Sequence, residues 1–294
     1  MTFSVVVPTH NRCELLQHTI ESIQSQDFRD FEIIVVDDGS SDGTDHYLNQ
    51  LNSYSNITHI RQSNLGPARA RNAGIGRSRG EFVAFTDDDC VVPPDWLTQY
   101  HRAFASEELD VAGGSVNNAA AGIFSESSQE MTNYLVRSLA ARESATSFLT
   151  SNNIAYRASS LKKYGAFDER FARAGGEERA LNMKILAGGG KSRFLPESTI
   201  EHYHRMTFGS FLHQQMNYGR GSYLIYRVIG RELGSPPNPI PPGTYAGMFA
   251  SFFRDGFLGG CVKTGIAIIA QAAVLTGYIA QAAAPRTLHS SASR

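Results

Sequence analysis

The chain runs Phe82-Val83-Ala84-Phe85-Thr86-Asp87-Asp88-Asp89, an apolar run followed directly by three consecutive acids. The apolar run predicts a buried strand. Carboxylates gathered at the end of such a strand repel one another and lose hydration, so a positive charge has to compensate them. A divalent cation that carries phosphates fits this requirement, because carboxylate and phosphate oxygens are ligands that Mg²⁺ and Mn²⁺ prefer. The segment therefore predicts a site for a metal and a charged ligand.

Three more β-rich runs precede this one and alternate with helical patterns, which is typical of parallel βαβ units. The predicted strands cover residues 3–7, 31–36, 57–61 and 81–86. Polar clusters follow three of them, at residues 8–12, 37–44 and 87–89. Ligands of open α/β sheets bind at the carboxyl ends of the strands. The three clusters therefore predict one site at one edge of the sheet.

The composition is that of an ordinary globular protein. With 294 residues, 41% of them hydrophobic, the chain is long enough for one large α/β domain and an appendage. A net charge of −1 gives no basic field, so we expect no nucleic-acid partner. The three cysteines are far apart and match neither a disulfide framework nor a zinc site, which favours a reducing compartment. The first apolar run is too short for a secretory signal, so a cytoplasmic location is expected.

A proline-rich segment divides the chain near its end. Residues 235–243 cannot continue a helix or a strand, so they predict a linker between a domain over 1–234 and an apolar tail over 244–294. Within the tail, residues 264–284 carry no charge and are long enough to span a bilayer. The stretch is rich in Ala and Gly and contains Gln271 and Gln281, which favours a packed or peripheral helix. Contact with the cytoplasmic face of a membrane is therefore expected, and spanning stays open.

The turn after the second strand, Asp37-Asp38-Gly39-Ser40, places two acids at the predicted site. A carboxylate there can accept a hydrogen bond from the imide N–H of a uracil ring. The alternative is that Asp38 only stabilises the turn, since Asp-Gly turns are common. Both interpretations are open from the residues alone.

A helix rich in small residues begins at Gly66-Pro67-Ala68 and carries Arg69, Arg71 and Asn72. Small residues let a helix approach a sheet closely, and an arginine there can neutralise a diphosphate. The alternative is a solvated helix face with surface arginines. We favour that alternative for Arg69 and the functional role for Arg71.

The segment Gly175-Gly176-Glu177-Glu178 begins a further predicted helix, over residues 177–187. Two glycines allow a substrate to approach closely, and Glu178 can take a proton from an attacking hydroxyl as a general base. Compensation of the helix dipole by first-turn acids is the simpler alternative. Farther on, His202 and His204 follow a short predicted strand at 199–200 and are candidate ligands for Mn²⁺, although either can be a structural histidine.

Taken in order, these segments resemble glycosyltransferase family 2, whose members transfer a sugar from a nucleotide donor with inversion at the anomeric carbon. The resemblance covers about residues 3–230, and the order and spacing of the motifs carry it. It implies an α/β protein with the GT-A fold, a Rossmann-like, mostly parallel sheet flanked by helices, followed by a C-terminal apolar helical tail.

The resemblance also assigns roles to residues. The donor-binding residues that it implies are Pro8, His10, Arg12, Asp38, Arg71, Asn72, Asp87, Asp88 and Asn153. It implies Asp87, Asp89 and His202 as metal ligands, with Asp89 the strongest, and Mn²⁺ or Mg²⁺ as the cofactor. Glu178 falls where the family places its catalytic base, commonly an aspartate, and His10 stands where a tyrosine is frequent.

The predicted function is that of an inverting glycosyltransferase. It would move a sugar from a nucleotide-diphosphate donor, UDP being favoured through Asp38, to a hydroxyl of a saccharide or lipid-linked acceptor in cell-surface glycan or polysaccharide synthesis. Residues 214–221 lack the Gln-x-x-Arg-Trp motif of processive synthases, which favours single addition. The alternative is a catalytically silent protein that binds a nucleotide sugar.

Overall fold

Eight strands form one mixed sheet in this computed structural model, which describes residues 1–141, 147–173, 175–234, 237, 239–254 and 256–284. The strands are β1 (Phe3–Thr9), β2 (Phe31–Asp37), β3 (Ile57–Arg61), β4 (Phe82–Phe85), β5 (Cys90–Val91), β6 (Val111–Asn118), β7 (Ile154–Arg157) and β8 (Ser192–His202). Their order across the sheet is β3-β2-β1-β4-β7-β6-β8-β5. The strands from β3 to β4 pair in parallel, as the sequence predicts. Beyond them β7 is antiparallel to both of its neighbours, whereas β6 and β8 are parallel.

Helices lie on both faces of this sheet. They are α1 (Cys13–Gln24), α2 (Thr44–Gln50), α3 (Pro67–Arg77), α4 (Trp96–Ser106), α5 (Ile123–Ala140), α6 (Ala158–Tyr164), α7 (Glu177–Ala187), α8 (Phe208–Leu224), α9 (Gly230–Glu232), α10 (Pro242–Ser251) and α11 (Phe257–Ala283). A π-helical turn, Ile225–Ile229, joins α8 to α9. The α/β fold class predicted from the sequence is therefore confirmed.

Alternate residues of β1 point into two separate cores. Val5 packs with Leu16 and Ile20 of α1 on one face of the sheet. Val6 packs on the other face, in the same cluster as Ala70 of α3. Both faces of the parallel strands are therefore buried, which explains why these strands read as continuous apolar runs.

The close approach of α3 to the sheet depends on a glycine. A Cβ atom added to Gly74 would lie 2.3 Å from Cγ1 of Val6 in β1. Only a helix with very small residues can pack at this distance, so the sequence-based argument for α3 is confirmed. The position of α3 in turn sets where Arg71 enters the sheet edge.

The carboxyl-terminal helices form a third core with the region before them. Phe211 of α8, Met248 of α10 and Ile266 of α11 belong to one buried cluster. The contact of α11 with α8 is very close, because a Cβ atom on Gly277 would lie 1.9 Å from the carbonyl oxygen of Met216. Within the described residues, α11 is therefore packed along one side, and it begins at Phe257, seven residues before the predicted start. Lys263 lies inside it with its ammonium 2.6 Å from Glu130 Oε2, so this charge does not end the helix.

Other boundaries also differ from the sequence-based expectation. The strand predicted at 199–200 is the end of the much longer β8, and α5 occupies a region in which no motif was readable. Residues 235, 236 and 238 of the predicted linker lie outside the described residues, as does the end of the tail at 285–294. The division of the chain into domain, linker and tail stays a prediction.

Candidate active site

A cavity of about 400 Å³ opens at the carboxyl ends of β1, β2 and β4, where the sequence predicts the site. The predicted residues that line it are Pro8, His10, Arg12, Asp38, Arg71, Asp87, Asp88, Asp89, Glu178 and His202. Six separate segments supply these residues, and the sheet order and the packing of α3 and α7 bring them together. The structure thus gathers most of the predicted side chains around one space. Asn72 and Asn153 are not among the lining residues.

Asp88 and Asp89 are buried at the end of β4 and are compensated by the protein itself. Arg12 Nη1 donates to Asp88 Oδ1 at 3.0 Å and to Asp89 Oδ2 at 2.7 Å. The hydroxyl of Thr9 donates to Asp88 Oδ2 at 2.7 Å. Burial raises the pKa of Asp88 to about 6, although Arg12 lowers it. Arg12 therefore compensates the charge of the two acids directly, which accounts for its position at the cavity.

Two imidazoles complete the surroundings of Asp89. His202 Nε2 lies 3.2 Å from Asp89 Oδ1, and His204 Nδ1 lies 3.0 Å from Asp89 Oδ2. Burial opposes the ionisation of Asp89, but hydrogen bonds from both histidines outweigh it and hold the pKa of Asp89 well below its usual range. The pKa of His202 is raised, because contact with Asp89 outweighs the lowering by burial.

This trio fits a divalent cation. The ligand atoms of Asp89, His202 and His204 all lie within 4.8 Å of one another. One carboxylate with two imidazoles is a donor set that suits a first-row metal such as Mn²⁺. Asp87 lines the same cavity outside this trio, and its Oδ1 accepts from Arg71 Nη2 at 2.8 Å. The geometry thus brings His204 into the group beside His202.

Asp38 is held by the loop that precedes α3. Its Oδ1 accepts from the backbone N–H of Leu65 at 2.8 Å, and its Oδ2 accepts from that of Gly66 at 2.9 Å. Gln62 Nε2 also donates to Oδ1 at 2.7 Å, which leaves about one of the four acceptor positions of the carboxylate for a ligand. His10 lies beside it, with Nδ1 2.9 Å from the Asp38 carbonyl oxygen. The two residues form the cavity wall where the sequence predicts the base of the nucleotide.

Arg71 is almost fully buried between two acids from distant segments. Its Nη2 donates to Asp87 Oδ1 and its Nη1 to Glu177 Oε1, both at 2.8 Å. Both terminal nitrogens are thus used inside the protein. These two bonds fix Asp87 relative to α7, and the direct contact between Arg71 and a diphosphate stays a prediction.

The two predicted asparagines are structural in their contacts. Asn72 pairs with the backbone of Phe167, accepting from its N–H and donating to its carbonyl, each at 2.9 Å. Asn153 is fully buried, and its Oδ1 accepts from Trp96 Nε1 and from the Tyr100 hydroxyl, each at 2.8 Å. Its amide also donates to two backbone carbonyls. Each amide is engaged inside the protein and lies off the cavity, and the donor contacts of these two residues stay predictions.

Glu178 lines the cavity in the first turn of α7. Gly175 and Gly176 precede this turn with φ of 153° and 108°, a backbone region that side chains rarely adopt. Glu177 is compensated, since it accepts from Arg71 and from the N–H of Gly175 at 2.9 Å. Glu178 takes part in no ion pair among the described residues, and burial, together with the charge of Glu177, raises its pKa to about 8. A carboxylate of this kind can hold and release a proton near neutral pH.

Thr9 and Gln129 are among the lining residues that the sequence analysis did not single out. Thr9 sits inside the predicted loop 8–12, and its place after a strand was a usable signal. Gln129 of α5 lines the cavity and contacts His202, but nothing in its local sequence marks it. Only the packing of α5 against the sheet brings it to the site.

Comparison with known proteins identifies the family. The model of glycosyl transferase family 2 matches residues 4–165, which is more than half of the 294 residues. The chain belongs to glycosyl transferase family 2. The family assignment made from the motifs is therefore confirmed, and the protein is a glycosyltransferase.

Individual relatives agree with this assignment. The chain is 26% identical over 231 residues to glycosyltransferase AglE of Haloferax volcanii, covering 76% of this chain and 74% of AglE. It is 47% identical over 89 residues to the GalNAc(5)-diNAcBac-PP-undecaprenol beta-1,3-glucosyltransferase of Campylobacter jejuni, a match that spans only 29% of either protein. Mannosyltransferase PcManGT of Pyrobaculum calidifontis, solved with GDP-Man and Mn²⁺, superposes with a TM-score of 0.65 at 17% identity over 95% of this chain and 86% of PcManGT. That likeness shows the fold, and the expected GT-A fold is confirmed.

Proposed function

We propose that this family 2 glycosyltransferase inverts the anomeric centre, using Glu178 as its general base. One observation carries the proposal. The cavity holds a cation-compensated acid cluster on one side and, on another, an acid whose pKa is raised to about 8. The first arrangement suits a diphosphate with its counter-ion, and the second suits a group that accepts a proton.

The donor in this proposal is a nucleotide-diphosphate sugar. The nucleotide base of the donor lies against His10 and Asp38. UDP is favoured because the Asp38 carboxylate can accept a hydrogen bond from the imide N–H of uracil. Pro8 lies at the end of β1 beside them, and Arg12 supplies positive charge next to the acid cluster. Asp87 and Asp88 face the sugar-diphosphate end of the cavity.

Asp89, His202 and His204 would hold a divalent cation, Mn²⁺ or Mg²⁺, and Asp87 is the further ligand that the sequence predicts. When bound, such a cation supplies positive charge that stabilises the leaving diphosphate. The structure of PcManGT with Mn²⁺ supports this part of the proposal by analogy of fold.

The reaction is a single displacement. Glu178 accepts the proton of the acceptor hydroxyl while that oxygen bonds to the anomeric carbon. The bond from that carbon to the diphosphate breaks, and its electron pair leaves with the nucleotide. Attack from the face opposite the diphosphate inverts the configuration, so no side chain has to act as a nucleophile.

The acceptor is a saccharide or a lipid-linked saccharide, in cell-surface glycan or polysaccharide synthesis. The name of the Campylobacter jejuni relative, which acts on a polyprenyl diphosphate saccharide, supports this class. We propose single addition by a catalytic domain over 1–234, at the cytoplasmic face of a membrane.

Contact with the membrane would come from the tail. Phe257–Ala283 is long and apolar enough to cross a membrane, and Phe257 and Leu258 are 79% and 78% exposed. Because one side of this helix packs on α8, we propose that it lies at the membrane surface. Sedimentation with phosphatidylglycerol vesicles should weaken when Phe257 and Leu258 are both changed to serine, and an unbound wild-type protein would contradict this location.

Nucleotide release from UDP-, GDP- and dTDP-sugars tests the main proposal. Purified protein is supplied with candidate saccharide acceptors, in Mn²⁺ or in EDTA, beside the Asp89→Asn variant. We expect metal-dependent release from one donor class, abolished in the variant. Donor binding without release, across all acceptors, would support a silent binding protein instead.

A further inference from the structure

The side chain of Gln129 on α5 reaches the candidate cation site from outside it. Its Oε1 lies 3.1 Å from Nδ1 of His202, whose other ring nitrogen lies 3.2 Å from Asp89 Oδ1. No motif marks Gln129 in the sequence, and α5 itself was not predicted. The Gln129 amide is therefore placed where it can act on the His202 ring.

The direction of each hydrogen bond in this region follows from one backbone carbonyl. The carbonyl oxygen of Val116 can only accept, so Asn133 must present its amide nitrogen to it, at 2.7 Å. The oxygen of Asn133 then faces Gln129, which must present its own amide nitrogen, at 3.0 Å. The oxygen of Gln129 consequently faces His202. Assignment of amide oxygen and nitrogen atoms depends on the network, and this network has one solution.

The network also selects a tautomer of His202. Because Gln129 presents an acceptor, Nδ1 of His202 must carry the hydrogen. In the neutral ring Nε2 then carries a lone pair, and this lone pair points toward Asp89 Oδ1. When a cation displaces the Nε2 hydrogen that Asp89 otherwise accepts, this lone pair and Asp89 Oδ1, 3.2 Å apart, can both bind the cation.

We propose that Gln129 is a positioning residue that holds His202 in the Nδ1–H tautomer and thereby sets the affinity of the site for a divalent cation. Asn133 and the Val116 carbonyl hold Gln129 in turn. The inference rests on the proposed cation site, and it concerns a residue that contacts His202 rather than the cation itself. Metal-binding histidines commonly donate their other ring N–H to an acceptor that orients the ring in this way.

The first experiment measures Mn²⁺ affinity of the full chain by calorimetry, with no sugar donor present. Removing an outer partner of a metal-binding histidine typically weakens metal binding about 10- to 100-fold, and we expect this for Gln129→Ala. Asn133→Ala, which frees Gln129 to turn over, should weaken it about two- to tenfold. Gln129→Glu should recover most of the loss, because a carboxylate also accepts from Nδ1–H.

Gln214→Ala is the matched control. Gln214 is an amide that lines the same cavity, and its Oε1 accepts from the hydroxyl of Ser128 at 2.9 Å. Gln214 contacts neither His202 nor Asp89, so the Mn²⁺ affinity of the Gln214→Ala protein should stay close to that of the wild type. A loss in this variant equal to that of Gln129→Ala would overturn the specific role of Gln129.

The second experiment reads the tautomer directly, from ¹⁵N spectra of histidine-labelled protein loaded with Zn²⁺. The His202 signals should show hydrogen on Nδ1 in the wild type and in Gln129→Glu, and a mixture of tautomers in Gln129→Ala. An unchanged spectrum and unchanged Mn²⁺ affinity in Gln129→Ala would overturn the proposal, as would a wild type that binds no Mn²⁺. Nucleotide release in EDTA is a separate observation, which would show transferase activity independently of this site.

Discussion

The two acid clusters of the cavity, Asp88 with Asp89 and Glu177 with Glu178, are compensated differently. In the first cluster Arg12 contacts both acids, and two histidines also reach Asp89. In the second cluster Arg71 contacts Glu177 only, and Glu178 takes part in no ion pair among the described residues. The pKa of Asp89 is accordingly held low, whereas that of Glu178 is raised to about 8.

This difference shows how one cavity can serve two purposes with the same functional group. A carboxylate surrounded by donors stays ionised and binds cations. A carboxylate that shares a buried space with a second acid, while the available arginine pairs with that neighbour, becomes a stronger base. Charge partners, rather than residue type, therefore separate binding from proton transfer here.

Of the substitutions considered, Glu178→Gln should lower turnover the most. Loss of a general base typically lowers turnover about 10²- to 10⁴-fold, while the affinity for the donor should change little. Steady-state nucleotide release gives the turnover, and calorimetry gives the donor affinity. Glu178→Asp, which keeps the carboxylate one methylene shorter, is the matched variant and should retain part of the activity. Equal turnover in wild type and Glu178→Gln would remove Glu178 from this role.

Arg71→Met removes the cation that joins Asp87 to Glu177 of the second cluster and leaves both acids without their shared partner. Breaking a buried ion pair by removing one partner costs about 3–5 kcal/mol of unfolding free energy. Urea denaturation at pH 7 should show a loss of this size, and Arg71→Lys should lose less because it keeps the charge. A melting curve unchanged by Arg71→Met would mean that the two acids need no cation.

Asp89→Asn, compared with Asp88→Asn, tests which acid of the first cluster matters more for turnover. The change keeps the shape of Asp89 but removes the charge that faces Arg12, His202 and His204. We expect turnover to fall about 100-fold, equivalent to about 2.7 kcal/mol, with weaker donor binding as well. Asp88→Asn is the control and should be milder, since the pKa of Asp88 is already raised to about 6. A larger effect of Asp88→Asn would reverse the ranking of the two acids.

The dependence of kcat/KM on pH tests the raised pKa of Glu178 without any substitution. A general base works when deprotonated, so kcat/KM should rise about tenfold per pH unit up to a pKa near 8 and then level off. Nucleotide release measured from pH 6 to pH 9 checks this, and the residual activity of Glu178→Gln should lack the rise. A flat wild-type profile across this range would contradict the assigned pKa.

The same shift has a consequence for stability. The folded protein holds the proton of Glu178 more tightly than the unfolded chain does, so this group favours folding less as the pH rises between about 4.5 and 8. The free energy of unfolding of the wild type should therefore fall relative to that of Glu178→Gln over this interval. Urea denaturation of both proteins at pH 5 and pH 9 measures the difference.

Local sequence was a good guide wherever a strand ends in polar residues. The strand at Ile57–Arg61 and the helix Glu177–Ala187 have the predicted bounds, because apolar periodicity and a glycine start signal are local properties. The acids 87–89 and Glu178 line one cavity as expected. The roles proposed for them stay predictions that the experiments above address.

Sequence was a poor guide wherever a polar side chain serves packing. Asn153 was expected at the donor, yet its amide is fully engaged in the core with Trp96 and Tyr100. The region of α5 carried no motif, and Gln129 became visible only through its contact with His202. A polar residue on a helix or strand looks the same in sequence whether it faces a ligand or another buried group.

By itself, the sequence determined the α/β alternation, the family and the positions of the acids, because these depend on short-range periodicity and on residue order. Tertiary structure alone decided which acids receive a cation. Arg71 lies 106 residues from Glu177, and Arg12 lies 77 residues from Asp89. Contacts at such separations are set by strand order and helix packing, and the charge partners that they create fix which carboxylate stays ionised and which can accept a proton.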